Sequence, residues 1–356
     1  QSVPRLIRIL LVEGSLDELR RLGDVLRAAA DMAVVGEAAT AAVAQRLAGA
    51  LSPDAIVIGG FPGRGSVELV ASIMETAAAP IIAVVSSPAA TDESSRALKA
   101  GAVAVVPLPP RDGDERRQME ARFVSTVRAM AEVRVVSRRP GGGRVKVAAP
   151  PPVARAGAFD VIAIGASAGG PQAIFTILSG LPADFPAPLL IVQHMTVGFL
   201  GSLLGWLNCA GGPPVHVPAS GEPLAAGIAY LAPDERHLGV DRRGRVELST
   251  SPPERGLRPA VSYLFRSVRQ AYGARCVGVL LSGMGRDGAD ELKLMRDAGG
   301  ATIAQDEGSC VVYGMPREAV VIGGATYELA IEKVAPTLLA LTGRGTAGRR
   351  GGEQRE

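Results

Sequence analysis

The chain is 356 residues long, 47% hydrophobic and 21% charged, with a formal net charge of +3. That length suggests two domains with a core each, the slight basicity is no argument for nucleic acid, and no apolar segment is long enough to span a bilayer. Cys209, Cys276 and Cys310 are few, scattered and odd in number, and the amino terminus lacks a basic-apolar-small pattern. Both argue against a disulfide framework and a secretory signal, so a soluble cytoplasmic protein without membrane insertion is expected. The cysteines lack ligand spacing and read as small buried hydrophobes rather than metal ligands.

In chain order, apolar strands alternate with helix-like stretches: a strand at 6–12, a helix at 16–29, a short strand at 33–36, a helix at 42–51 and a strand at 55–58. A helix at 67–76, a strand at 81–85, a helix at 94–100 and a strand at 102–106 follow. Such alternation means a parallel sheet with helices on both faces, where ligands sit at the carboxyl ends of the strands. From 134 to 157 the periodicity is lost and Gly, Pro, Arg and Ala gather, including GGG at Gly141 and PPP at Pro150. Without interleaved aromatics, the basic residues there and around Arg349 read as solvated linker and terminus. The expected division is a domain at 1–130, a linker at 131–157, a second domain at 158–343 and a disordered tail at 344–356.

The second half opens on DVIAIGASAGGPQAIFTI from Asp160. A buried strand over 161–164 runs into a glycine-rich turn, and a helix begins near Pro171, a residue suited to a first helical position. Gly165, Ser167 and Gly169 stand at the spacing of a nucleophile elbow, where a sharp strand-to-helix turn presents a serine oxygen to a base. The helix that follows aims free N–H groups and its positive dipole end at any oxyanion formed there. A plain tight turn, or the phosphate-cradling loop of a nucleotide-binding fold, uses the same glycines. The decision rests on a base and an orienting acid elsewhere.

Beyond the elbow a strand at 188–192 ends in Gln193 and His194, and a helix covers 199–207. Short strands at 215–217, 228–231 and 237–240 precede a helix at 259–272. A buried strand at 277–281 then leads into Ser282, Gly283, Met284, Gly285, Arg286 and Asp287. Ser167, His194 and Asp287 thus all follow strands, and in a parallel sheet such ends share one edge. A serine needs a base to take its proton, and the base needs a carboxylate to hold its tautomer. His216 sits inside a strand and reads as a satisfied or surface histidine, and His237 lies at the wrong end of one. Asp234 and Asp306 compete with Asp287 from turns whose relation to the sheet edge the sequence leaves open. The chain order serine, histidine, acid disfavours the α/β-hydrolase fold, which runs serine, acid, histidine.

Two resemblances sharpen these readings. The order of the first half, with its PDAIVIG, SS and GAVAVVPLP stretches, resembles a response-regulator receiver domain over roughly residues 5–125. Glu13 alone remains of the acidic pair that receivers place after the first strand, with Gly14 beside it. Gly59 stands at the phosphoacceptor position, and Leu108 replaces the lysine before Pro109. Ser86 or Ser87 fits the hydroxyl position, while Asp54 precedes its strand and lies at the opposite sheet edge. A glycine cannot carry an acyl phosphate, and one carboxylate is a poor magnesium cage. This pseudo-receiver is expected neither to accept phosphate nor to bind magnesium tightly.

In the second half, GASAGGPQAI, QHM at Gln193, AGIAYLAPDERHL, LRPAVSYLF, LLSGMGRDGAD and IAQDEGSCVVYGMPREAV resemble the catalytic domain of CheB-type chemotaxis protein-glutamate methylesterases. The resemblance implies an α/β protein of two doubly wound parallel-sheet domains, receiver-like and then Rossmann-like. It implies a triad of Ser167, His194 and Asp287, with the backbone N–H groups of Met284 and Ala168 as oxyanion donors. It also implies methylesterase and glutamine deamidase activity without a metal or organic cofactor. The partners implied are methyl-accepting chemotaxis receptors, with chemosensory kinase or adaptor proteins as further candidates. Ser262 and Glu291 depart from the family's usual aspartate and glycine, and altered surface or helix detail is expected there. A non-catalytic array scaffold is the competing reading, and nucleotide binding is weaker because no acidic residue stands at a clear second-strand end to hold a ribose.

Overall fold

The computed structural model describes residues 6–60, 68–70, 72–73, 79–87, 91–131 and 159–343. The expected tail and all of the expected linker except Ala131 lie outside the described residues. Of the helix expected at 67–76, residues 68–70 and 72–73 are described and helical. Two compact units divide the chain, the first drawn from residues 1–144 with 195–206 and 311–313, the second from the remainder.

In the first unit the elements are β1 (Ile7–Val12), α1 (Leu16–Arg27), β2 (Met32–Ala38), α2 (Ala41–Leu51), β3 (Ala55–Ile58), β4 (Ile81–Val85), α3 (Thr91–Ala100), β5 (Ala104–Pro107) and α4 (Arg116–Ala131). Their strands pair in parallel in the order β2-β1-β3-β4-β5, the flavodoxin-like winding. β3 and β4 are apolar and buried throughout, as a sheet covered on both faces requires. Ser15 and Thr40 cap α1 and α2, their side-chain oxygens accepting the N–H of Glu18 and Val43. Helix α4 goes beyond the expected elements. Its Phe123, Val127 and Met130 bury one face at helical spacing, a signal obscured by the charged residues around it.

From Val161 onward come β6 (Val161–Ala166), α5 (Gly170–Ser179), β7 (Leu189–Gln193), α6 (Leu200–Leu207), β8 (Val215–His216), β9 (Ala229–Leu231), β10 (His237–Val240) and β11 (Val246–Ser249). Then follow α7 (Val261–Tyr272), β12 (Cys276–Leu280), α8 (Ala289–Asp297), β13 (Ala301–Gln305), α9 (Met315–Val321), β14 (Tyr327–Leu329) and α10 (Ile331–Leu341). The sheet of the second unit is parallel, in the order β14-β13-β12-β6-β7-β9-β8. β10 and β11 form a separate antiparallel pair. The chain builds from β6 toward β7 and β9, then crosses to β12. β6 and β12 therefore flank the switch point, where sheets of this kind place their ligands.

Helix α7 is amphipathic, with Val261, Leu264, Phe265 and Val268 fully buried. Each such side chain contributes roughly 1.5–3 kcal/mol through burial. Two glycines admit its first turn: a Cβ on Gly165 in β6, or on Gly288, would collide with the Val261 side chain. The elements α8, β13, α9, β14 and α10, together with β11, go beyond those expected from periodicity. No helix among the described residues is long and apolar enough to cross a membrane.

Candidate active site

Ser167 follows the last residue of β6, and α5 begins three residues later. Gly169 makes the turn possible: it caps α5 with φ 76°, a left-handed conformation that costs glycine little. Pro171 lies in the first helical turn, as expected. The Ser167 N–H donates to Ser282 O at 3.0 Å, and its carbonyl accepts the N–H of Gly170 and the amide Nε2 of Gln193, each at 2.8 Å. Gly165 has a different reason from the one the elbow spacing suggests. It lies inside β6 and makes room for Val261 rather than bending the chain.

His194 stands on the same rim. Ala166 of β6 is in register with Gln193 of β7, and the His194 N–H donates to Ala166 O at 2.9 Å. Serine and histidine therefore follow equivalent positions on neighbouring strands, spaced about 5 Å apart. Asp287 lies between β12 and α8, on the other side of β6, and its Oδ2 is 2.9 Å from His194 Nε2. The imidazole–carboxylate contact thus bridges the strand that carries Ser167. That separation is an ion-pair distance, and Nε2 has no hydrogen-bond partner of good geometry. The carboxylate and the imidazole approach closely without the alignment of a hydrogen bond.

The Asp287 carboxylate is buried and fully engaged. Oδ2 accepts the Val261 N–H at 2.7 Å and Oδ1 the Ser262 N–H at 3.0 Å, both from the first turn of α7. Burial alone raises its pKa, but His194 and the Ser262 donors outweigh that and hold it at about 2. The helix N-terminus adds favourable dipole ends. Ser262 is a helix residue, as expected, but not a surface one: it is buried, its N–H reaches the acid, and its Oγ accepts the Gly288 N–H at 3.0 Å. Glu291 is indeed helix detail, 3.6 Å from Arg266 on α7.

The loop from Ser282 to Gly288 is tied down along its length. Ser282 N–H donates to Gln305 Oε1 at 2.8 Å, and Ser282 Oγ to Ala168 O at 2.7 Å. Gly283 O accepts the N–H groups of Gly314 and Met315 at 3.1 and 2.8 Å. A Cβ on Gly283 would fall 2.7 Å from that of Ser167, so only glycine lets the loop approach the serine this closely. Of the expected oxyanion donors, Ala168 is the residue after Ser167 on the elbow and Met284 the residue after Gly283 on this loop. Gln193 and Ser282 stand at strand ends in the sequence without a role, and Gln305 is not singled out there. Their signal is a polar residue at the end of an apolar strand run, and all are buried.

The competing residues lie elsewhere. His237 is fully buried, its Nδ1 accepting the Ala260 N–H at 3.2 Å, its Nε2 3.2 Å from Pro252 O and its ring stacked on Tyr263. His216 pairs with Glu222 at 2.7 Å. Asp306 caps its own turn by accepting the Ser309 N–H and hydroxyl. Cys276 and Cys310 are buried, as expected of small hydrophobes, but Cys209 is exposed. No group of three His, Cys, Asp or Glu able to hold a metal ion occurs among the described residues.

In the first unit Gly59 follows β3 and Leu108 follows β5, both at carboxyl strand ends. Asp54 lies at the opposite edge, its Oδ2 accepting the Arg8 N–H. Ser86, next after β4, donates its N–H and hydroxyl to Glu93. Glu13 is buried, and its carboxylate lies so close to Gly59 that a Cβ there would collide with Oε2. Its pKa is raised, burial being the main cause.

A doubly wound parallel sheet whose switch point presents a serine, a histidine and a buried aspartate defines an α/β protein with the layout of a serine hydrolase. The model for the CheB methylesterase family matches residues 162–338. A protein-glutamate methylesterase/protein-glutamine glutaminase of Geobacter metallireducens is 42% identical over 94% of this chain and 99% of its own. One of Myxococcus xanthus is 43% identical over 92% of this chain and 94% of its own. The crystal structure of the Thermotoga maritima CheB methylesterase catalytic domain is similar over 51% of this chain and 97% of that one, at 35% identity and a TM-score of 0.49. The chain belongs to the CheB methylesterase family, in agreement with the resemblance read from its motifs.

Proposed function

We propose that the protein is a protein-glutamate methylesterase with protein-glutamine deamidase activity, serving adaptation in a chemosensory system. The carrying observation is the His194–Asp287 contact across the strand that presents Ser167. His194 takes the Ser167 hydroxyl proton as Oγ attacks the γ-carbonyl of a glutamate methyl ester. The tetrahedral oxyanion is met by the N–H groups of Ala168 and Met284. It collapses to an acyl-enzyme as methoxide leaves with the proton from His194, giving methanol. Water, deprotonated by His194, then releases glutamate and restores Ser167. With a glutamine substrate the same steps expel ammonia.

The substrates are methyl-accepting chemotaxis receptors, with chemosensory kinase or adaptor proteins as further partners, and the protein acts in the cytoplasm without a cofactor. The domains are a pseudo-receiver at 1–130 and a catalytic domain at 158–343. The pseudo-receiver is not phosphorylated, because Gly59 offers no carboxylate and Glu13 fills the adjoining space. Activity is then either constitutive or released by a partner. Equal turnover by the full chain and by residues 150–356 would exclude inhibition by the front half.

The test is methanol release from methylated receptor membranes. The full chain should release methanol and Ser167→Ala should not. Unimpaired release by Ser167→Ala discards the assignment, and a scaffold releases none in either case.

A further inference from the structure

We infer that Gln193 is a positioning residue of this site, acting through the peptide that carries the Ala168 N–H; the inference rests on the oxyanion reading above. Gln193 is the last residue of β7 and is buried. Its single amide nitrogen donates to two carbonyls, Ser167 O and His194 O, each at 2.8 Å. One side chain thereby ties the backbone of the nucleophile to that of the base. Its orientation is determined, because the inverted amide would set Oε1 against two carbonyl oxygens.

The acceptor end of the same amide is not used. Oε1 is buried without a hydrogen-bond partner among the described residues. It lies against Gly170, where any Cβ would collide with it. The side chain is thus held by its donors alone, and the second glycine of the GG pair makes room for it.

What those donors fix is a peptide plane. In a trans peptide the carbonyl and the following N–H point in opposite directions. Ser167 O is held twice, by Gln193 Nε2 and by the Gly170 N–H, so the Ala168 N–H must face away from both. The other oxyanion candidate is built the same way, Gly283 O being held by the N–H groups of Gly314 and Met315 and the Met284 N–H facing away from them. Of these four donors Gln193 supplies the one side chain. Without it a single bond restrains the Ser167–Ala168 peptide, and rotation would turn a carbonyl, instead of an N–H, toward developing negative charge.

The test is Gln193→Met in the full chain, a variant of similar volume without the donors, assayed on p-nitrophenyl acetate and on its thiono analogue. A thiono sulfur is a poor hydrogen-bond acceptor, so oxyanion donors matter far less for that ester. The expected result is a fall in kcat on the oxo ester of roughly a hundredfold, the scale of one lost oxyanion donor, with KM unchanged and the thiono rate little affected. A general loss of structure would lower both rates together. Equal losses on the two esters, or none on either, would overturn the inference. Should Gln193→Met not fold, Gln193→Leu removes the same donors and is read by the same ratio. Ser167→Ala separates the two claims: if it retains full ester hydrolysis the underlying function fails, and if it is inactive while Gln193→Met loses both rates equally, only the positioning role fails.

Discussion

The amide N–H of Val261 donates to Asp287 Oδ2 at 2.7 Å while that of Ser262 takes Oδ1, so each oxygen of the acid receives one N–H from the same helical turn. A carboxylate can accept on both sides; an amide cannot. Asp287→Asn therefore removes the charge that holds the imidazole and also sets an NH2 group against a backbone N–H. Turnover should fall on the order of ten-thousandfold, as for other triads. Stability should fall as well, by about 1–3 kcal/mol for the unpaired buried donor. Methanol release and a denaturant melt measure the two effects, and full turnover in the variant would remove Asp287 from the site.

Asp287 also sets an acid dependence of stability. Its folded pKa, about 2, lies below the value near 4 of an unfolded aspartate, so the unfolded chain binds the proton more readily. The stabilisation is complete above the unfolded value and is lost as pH falls through the folded one. It amounts to about 2 kcal/mol. The stability difference between the parent and Asp287→Asn should therefore narrow between about pH 5 and pH 2. A difference constant over that window would contradict the buried, ionised carboxylate.

Much of this site is legible from residue order alone, because the parallel sheet does the gathering. Once 161–164, 188–192 and 277–281 are read as strands, Ser167, His194 and Asp287 must share a rim. Periodicity does not reach the residues that hold them there. Gln193 and Ser282 look like the ends of apolar runs, and the part played by Val261 and Ser262 is that of backbone N–H groups, to which side-chain type is almost indifferent. Gly165 shows the converse: the spacing marks it correctly, but its reason is a neighbour some hundred residues away. In the first unit, the space left by Gly59 is legible and its filling by Glu13 is not.

The cysteines divide by environment. Burial pushes Cys276 up to about 12, and Cys310 is raised by the same cause, so both remain protonated thiols in the folded protein. Cys209 is exposed. Iodoacetamide at about pH 8 should label Cys209 alone among the three, with Cys276 and Cys310 labelled only after denaturation. Mass spectrometry of the native reaction reads this, and early labelling of Cys276 would mean that β12 opens readily.

Restoring an aspartate at Gly59 should not be benign. The new side chain would have to enter the space beside the Glu13 carboxylate, which is buried and accepts the Ser15 N–H at 2.9 Å. Two carboxylates confined there cannot both ionise without strong repulsion, and burial already raises Glu13. Gly59→Asp should therefore weaken hydrogen-exchange protection of β1 and β3 at about pH 7, and weaken it less near pH 4, where one proton can be shared. Adding Glu13→Ala to Gly59→Asp should recover protection that the single substitution loses, which is the mark of a direct coupling. If Gly59→Asp is as well protected as the parent at neutral pH, Glu13 does not occupy that space, and its carboxylate is not what closes the acceptor position to phosphate.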